Sequence, residues 1–174
     1  MLSQFAIDKT IVRTQKLNRV EIFLKNILKK QSSDTALINI GGIANITYIE
    51  ETLLGYDIGP GNCLVDAWCQ RKLNKPYDDK GHWARTGKLN GQLLKRLLNE
   101  PYFYLEPPKS TGKELFNLDW LKKNITDHEQ GTINSQDVQR TLLELTAVTI
   151  SKSVKDVPRL ATIIVCGGGA KTSS

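Results

Sequence analysis

The chain has 174 residues, of which 40% are hydrophobic and 24% are charged. These proportions are typical of a globular protein with one ordinary core and exclude a disordered chain. The sequence contains no run of about 18 apolar residues, so no transmembrane helix and no membrane partner are predicted. The three cysteines lack metal-ligand spacing, which favours free thiols in a reducing cytoplasm and predicts no metal site.

The net charge of +6 is unevenly distributed along the chain. Residues 1–34 contain seven basic and three acidic residues, and the rest of the chain is close to balanced. A basic terminal segment is more often a solvated helix face than a phosphate-binding surface. We therefore predict no nucleic-acid partner, with a basic nucleic-acid-binding protein as the lesser alternative.

The first part of the chain predicts a helix followed by three short strands. Apolar residues recur at near-helical spacing over residues 20–27, inside a basic lead-in segment of residues 1–34. Apolar and β-branched runs over residues 36–40, 45–50 and 53–57 predict strands. The Gly41-Gly42 pair between the first two predicts a hairpin turn.

Two glycine corners flank a carboxylate in this region. Gly41 and Gly42 form the first corner, Gly59 and Gly61 form the second, and Asp57 lies between them. Glycines allow backbone N–H groups to approach an anion closely because no Cβ intervenes. The pattern predicts a phosphate cradle beside a general base, and the alternative is a β-meander whose glycines only make turns.

The remaining chain alternates helices with loops. Helices are predicted over residues 63–73, 88–99 and 137–155, with another around Leu115, Phe116 and Trp120. Residues 74–87 predict a surface loop anchored by Trp83, with a catalytic role for its Asp and His residues as the alternative. The apolar run 160–166 predicts a buried strand, and the glycines after it would lie at the carboxyl end of a sheet, where α/β proteins bind ligands.

A polar corner, PPKSTG, precedes the helix around Phe116. Its Lys109 is positioned to steer an anionic substrate. Its Ser110 is predicted to cap the following helix, because a serine at such a position usually serves as a cap.

Six motifs in the same order closely resemble the anhydro-N-acetylmuramic acid kinases, enzymes of bacterial cell-wall recycling. The motifs are NIGGIANITYI, GYDIGPGNCLVDAW, YDDKGHWARTG, PPKSTG, QDVQRTLLELTA and CGGGAK. The resemblance implies an α/β fold, namely one incomplete ribonuclease-H-like domain of the ATPase fold shared by actin, hexokinase and Hsp70. Residues 35–174 would be a partial second domain of such a sugar kinase, and residues 1–34 do not match the family's pattern.

The same resemblance implies a cytoplasmic kinase that uses ATP and Mg²⁺. Its amino-sugar substrate would be 1,6-anhydro-N-acetylmuramic acid, opened by water and phosphorylated to N-acetylmuramic acid 6-phosphate. Asp57 would be the general base. The nucleotide-binding residues that the resemblance implies are Gly41, Gly42, Asn45, Gly167, Gly168 and Gly169. The glycine corner before the 63–73 helix predicts an anion site and adds Gly59, Gly61 and Asn62 as nucleotide contacts, and Lys109 of the polar corner is the predicted substrate contact.

The sequence also departs from the family. The family's first phosphate hairpin, Gly-Thr-Ser-x-Asp-Gly, has no counterpart in residues 1–34, and the portion after CGGGAK is absent. We therefore expect a fragment of a longer enzyme that pairs with itself or with a chain supplying the missing half. The alternative function is a catalytically inactive fragment that binds nucleotide or a partner chain.

Overall fold

The computed structural model describes residues 10–13, 35–49, 53–125, 132–157 and 160–171. Its described part contains five strands, four α-helices and four short 3-10 helices in a mixed α/β arrangement. The strands are β1 (Thr10–Arg13), β2 (Thr35–Ile40), β3 (Ile43–Ile49), β4 (Leu53–Pro60) and β5 (Thr162–Cys166). The helices are α1 (Cys63–Leu73), α2 (Gly91–Leu98), α3 (Leu118–Asn124) and α4 (Ser135–Asp156).

The five strands form one sheet in the order β1-β5-β2-β3-β4. Strands β2, β3 and β4 form an antiparallel meander, and β5 runs parallel to both β1 and β2. Strand β5 therefore has a neighbour on each side, as its continuous apolar sequence predicts.

Strand β1 was not predicted from the sequence. It lies in the segment that we interpreted as a lead-in and a helix, and it pairs with β5 from Thr10↔Thr162 to Arg13↔Val165. Thr10 and Thr162 are 152 positions apart in the chain, so no short-range signal indicates the pairing. The helix predicted over residues 20–27 lies outside the described residues.

The hairpin between β2 and β3 is confirmed, and the strand ends extend beyond the predicted ones. Strand β3 begins at Ile43 rather than at residue 45, because the Gly41-Gly42 turn is tight. Strand β4 continues to Pro60, which pairs with Ile43. The register of this pair skips Ile58, producing a β-bulge directly after Asp57.

Helix α4 covers one face of the sheet. Its Ile150 and Val154 pack in one buried cluster with Ile38, Ile46 and Tyr56 of the three meander strands. Because successive side chains in a strand point to opposite faces, the residues between these apolar ones point away from α4. The opposite face is therefore the one that carries Asp57.

A second buried cluster is built by the helices and the segment that joins α2 to α3. Phe116 lies at its centre, stacked on Phe103 and edge-on to Trp120. Helix α1 has the predicted bounds. Helix α2 begins later than predicted because the side chain of Asn90 accepts a hydrogen bond from Leu93 N and thereby caps it.

Helix α3 corrects the predicted cap. It begins at Leu118, and the side chain of Asn117 accepts hydrogen bonds from Asp119 N and Trp120 N. Ser110 lies too far upstream to cap this helix and contacts β4 instead. None of the described helices combines the length and the apolar character that a bilayer-spanning helix requires.

Candidate active site

A row of polar side chains crosses the meander on the face opposite α4. The register pairs Asn39 of β2 with Asn45 of β3, and Asn45 with Asp57 of β4. Directly paired residues share a face, so the three side chains lie in line. Cys166 continues the row on β5, with its Sγ 3.7 Å from Asn39 Oδ1.

The carboxylate of Asp57 is held by the PPKSTG loop. Its Oδ2 accepts a hydrogen bond of 2.9 Å from Ser110 Oγ and one of 3.0 Å from Thr111 N. No hydrogen bond to Oδ1 occurs among the described residues, and Asp57 is half-buried. One oxygen therefore fixes the carboxylate, and the other is left to act on a ligand.

The backbone of Asp57 is fixed as well. Its N–H donates to Lys109 O at 3.1 Å, and its carbonyl accepts from Tyr102 Oη at 2.6 Å. Burial, together with the negative charge of Asp57, raises the pKa of Tyr102. The phenol therefore keeps its proton and remains a hydrogen-bond donor over the whole physiological pH range.

Lys109 lies against the backbone of its own loop. Its Nζ donates to the carbonyl oxygens of Leu105 at 2.9 Å and Tyr102 at 3.3 Å. The ammonium also lies over the ring of Tyr102, 5.0 Å from its centroid. Burial lowers the pKa of Lys109, with the charge of Lys152 as the next cause. Lys109 thus stabilises the loop that holds Asp57, and a substrate contact stays a prediction.

The two predicted glycine corners are locked together. Gly61 N and Cys63 N both donate to Gly42 O, at 2.9 and 3.0 Å, and Asn62 N donates to Gly41 O at 2.8 Å. A Cβ on Gly61 would collide with Gly41 O. The hairpin turn and the Gly59–Asn62 connection therefore form a single unit.

Helix α4 supports this unit from the covered face. Thr146 Oγ1 lies 2.8 Å from Gly61 O and 3.0 Å from Pro60 O, and its side chain is buried. The single hydroxyl proton can be donated to one of these carbonyl groups, and the shorter distance favours Gly61 O.

The third glycine motif, which follows β5, packs against the other two. Gly167 has a φ of +90°, and a Cβ there would lie 2.5 Å from Ile40 O. At Gly169 a Cβ would contact Ile40 Cγ2 and lie 2.9 Å from Asn62 Oδ1. The structure thus brings most of the predicted nucleotide-binding residues into one cluster, with Asn62 at the junction of all three motifs. Gly59 lies against Phe103 instead, and Asn45 lies in the polar row.

A cavity of about 520 Å³ opens beside this junction. It lies between Asn62 and Gly168 on one side and the 77–81 loop on the other. Val65 and Leu143 supply apolar surface, and Asp66 supplies a carboxylate whose pKa is raised by burial. Asp78, Asp79 and Lys80 of the 77–81 loop also line it. A cavity of this size that combines apolar surface with polar groups can accommodate a nucleoside.

Helix α1 begins at the same place. Its N-terminal residue, Cys63, follows Asn62 directly, and no side chain caps the helix. The positive end of the helix dipole therefore faces the glycine cluster. Burial raises the pKa of Cys63 to about 11, which keeps its thiol protonated and excludes a thiolate nucleophile at neutral pH.

The 74–87 loop is held against the helices by Asp78 and Trp83. Asp78 Oδ1 accepts from Trp83 N, and its Oδ2 accepts from Ala84 N and from Gln139 Nε2 on α4. Trp83 packs against the helical core. Asp78 thus ties the loop to α4.

The sequence analysis did not assign Asn39, Tyr102, Ser110 or Thr111 to the site. The PPKSTG motif contains Ser110 and Thr111, but nothing in the sequence indicates that this loop contacts β4. Within the described part of the chain, no group of three or more His, Cys, Asp or Glu side chains is arranged to hold a metal ion.

Glycine loops that converge on a helix N-terminus, beside a fixed carboxylate, are typical of α/β proteins that act on phosphorylated ligands. The family model described as anhydro-N-acetylmuramic acid kinase matches residues 14–174. The match therefore reaches upstream into residues 1–34, which we expected to lie outside the family's pattern. The chain belongs to the anhydro-N-acetylmuramic acid kinase family.

Curated relatives carry the same name. A Coxiella burnetii (strain Dugway 5J108-111) anhydro-N-acetylmuramic acid kinase is 45% identical over 154 residues, covering 86% of this chain and 41% of the relative. A relative of that name from Shewanella sp. (strain ANA-3) is 45% identical over 157 residues, covering 88% of this chain and 42% of the relative. This chain thus spans about two fifths of the length of the curated relatives that it matches.

Proposed function

We propose that this chain forms the nucleotide- and base-bearing part of an ATP-dependent kinase acting on 1,6-anhydro-N-acetylmuramic acid. The observation that carries the proposal is the fixed carboxylate of Asp57 in line with Asn45 and next to the three glycine motifs. In the proposed fold, β2, β3 and β4 with α1, α4 and β5 constitute a ribonuclease-H-like domain of the actin and hexokinase type. Residues 35–174 would be this partial second domain.

The proposed reaction joins a hydrolysis to a phosphoryl transfer. Asp57 Oδ1 accepts a proton from water as the water oxygen attacks the anomeric carbon of the anhydro sugar. The bond from that carbon to O6 breaks, and O6 attacks the γ-phosphorus of ATP as ADP leaves. The products are N-acetylmuramic acid 6-phosphate and ADP.

The geometry supports these roles for the chain's own residues. Ser110 and Thr111 orient Asp57 through Oδ2, which leaves Oδ1 available to accept a proton from water. Good orientation of a catalytic group can supply much of a rate enhancement. Gly41, Gly42 and the N-terminus of α1 would surround the phosphates, and the cavity beside Asn62 would hold the adenosine. Mg²⁺ would supply charge neutralisation, bound mainly through the phosphates.

The test is phosphoryl transfer from Mg·ATP to 1,6-anhydro-N-acetylmuramic acid, with the purified chain and an Asp57→Asn variant. The matched control is Asp119→Asn, because Asp119 is an exposed carboxylate on α3, away from the cavity and the glycine motifs. We expect turnover that Asp57→Asn abolishes and Asp119→Asn retains. Equal turnover by Asp57→Asn and the parent chain would contradict the role of Asp57.

Nucleotide binding distinguishes the second candidate, a fragment without catalysis. This candidate rests on the share of the curated relatives that the chain spans. If this candidate is correct, the folded chain should bind ATP in isothermal titration calorimetry. It should transfer no phosphoryl group unless a second chain completes the site. A folded chain that neither binds ATP nor turns over would refute both candidates.

A further inference from the structure

Lys113 lies over the first glycine corner. It belongs to the same loop as Ser110 and Thr111, three and two residues further along the chain from them. A Cβ built on Gly42 would lie 3.2 Å from Lys113 Cε and 3.9 Å from Lys113 Nζ. The aliphatic stem thus covers the open side of the hairpin turn and carries its ammonium to the turn itself.

The ammonium group of Lys113 forms no ion pair among the described residues. Among the described residues no carboxylate oxygen lies within 4.0 Å of its Nζ, and no hydrogen bond to Nζ is formed. The side chain is exposed, so the ammonium can move over the turn without a desolvation cost. Lys113 Nζ therefore lies beside Gly42 without a hydrogen-bond or ion-pair partner among the described residues.

The N-terminus of α1 adds positive electrostatic potential near Gly42. The N-terminus of α1 adjoins Gly42, since Cys63 N donates to Gly42 O. The field of Lys113 also lowers the pKa of both Asp66 and Cys63, against the larger opposite effect of burial in each case. An ammonium, a helix N-terminus and a glycine turn together favour a group with several negative charges.

We propose that Lys113 contacts the phosphate chain of the nucleotide at the Gly42 turn. The proposal rests on the proposed function of this site and adds to it a residue that steers and neutralises the phosphates. A flexible lysine suits this task because it acts as a mobile point charge that can follow a phosphoryl group. The loop that fixes Asp57 would then also hold the phosphates, which couples the base to the phosphate position.

The test is calorimetric titration of the chain with ATP, with adenosine and with inorganic triphosphate. The variants are Lys113→Met, Lys113→Arg and the matched control Lys95→Met, since Lys95 is an exposed lysine on α2. We expect Lys113→Met to weaken ATP and triphosphate binding about tenfold, the usual order for one charge-assisted hydrogen bond. Adenosine binding should stay unchanged, Lys113→Arg should retain most ATP affinity, and Lys95→Met should match the parent chain.

Two results would overturn the proposal separately from the function. Parent-like ATP binding by Lys113→Met would exclude the contact while leaving the nucleotide site intact. Equal weakening of ATP and adenosine would assign Lys113 to the shape of the site rather than to the phosphates. A parent chain that binds none of the three ligands would overturn this inference and the proposed function together.

Discussion

Thr111 N lies 3.0 Å from Asp57 Oδ2 although 54 positions separate the two residues in the chain. Ser110 Oγ reaches the same oxygen at 2.9 Å. The orientation of the carboxylate is therefore set by a distant loop rather than by the strand that carries it. A substitution in this loop can therefore change the orientation of the Asp57 carboxylate without removing the carboxylate.

The first prediction concerns Ser110. Removing its hydroxyl by Ser110→Ala deletes one hydrogen bond to a charged acceptor and leaves the bond from Thr111 N. We expect kcat for phosphoryl transfer to fall about tenfold with little change in KM for ATP, because only the orientation of the base is affected. Steady-state kinetics would measure both parameters.

Ser110→Thr is the matched control, since it keeps a hydroxyl at the same position. It should restore most of the lost kcat. If Ser110→Ala and Ser110→Thr were impaired equally, or if KM alone rose, Ser110 would not be orienting the base.

The second prediction concerns the lock between the glycine corners. A Cβ in Gly61→Ala would collide with Gly41 O, a backbone atom that cannot move without displacing the hairpin. We expect the free energy of unfolding to fall by about 1–3 kcal/mol, the usual range for overpacking. Urea denaturation followed by circular dichroism would measure the loss, and nucleotide binding should weaken with it.

Gly91→Ala is the control for this substitution. Gly91 begins α2 and has open space where its Cβ would lie. We expect an unchanged or slightly raised stability, up to about 1 kcal/mol, because alanine loses less backbone entropy in a helix. Similar losses at both positions would show that the contact with Gly41 is unimportant.

The third prediction concerns alkaline pH. Burial raises the pKa of Cys63 from 9.0 to about 11. The folded chain therefore retains the thiol proton over a pH range in which the unfolded chain has lost it. This stabilisation is complete below pH 9 and disappears as the pH rises through 11.

Cys63→Ala removes this contribution. We expect the unfolding free energy of the variant to decline less steeply than that of the parent between pH 9 and pH 11. Cys69→Ala is a useful comparison, because burial also raises the pKa of that thiol. Parallel pH profiles for the parent chain and Cys63→Ala would refute the assignment.

The glycine motifs and Asp57 could be predicted because their signals are local. A glycine pair between two β-branched runs indicates a turn wherever it occurs, and Asp57 interrupts an apolar strand. The convergence of the three motifs was also foreseeable, since β2, β4 and β5 each end at one. Strand β1 and the contacts of Ser110 were not foreseeable, because they depend on pairings between residues far apart in the chain.

The contacts of Lys109 within the protein could not be predicted from the sequence. A lysine in a polar corner next to a predicted site favours a substrate contact. The two carbonyl groups that hold its ammonium, from Tyr102 and Leu105, become neighbours only when the preceding segment turns back on itself. The sequence alone does not indicate which acceptor group a lysine ammonium will contact in the folded chain.

The polar row across β2, β3 and β4 depends on the strand register, so insertions and deletions between these strands would disrupt it. A single residue added to the Gly41-Gly42 hairpin would slide β3 by one position and turn Asn45 toward α4. Residues added to the 74–87 loop would leave the row untouched, because that loop carries no strand register. Length variation in functional homologues should therefore accumulate after α1 and be absent between Asn39 and Asp57.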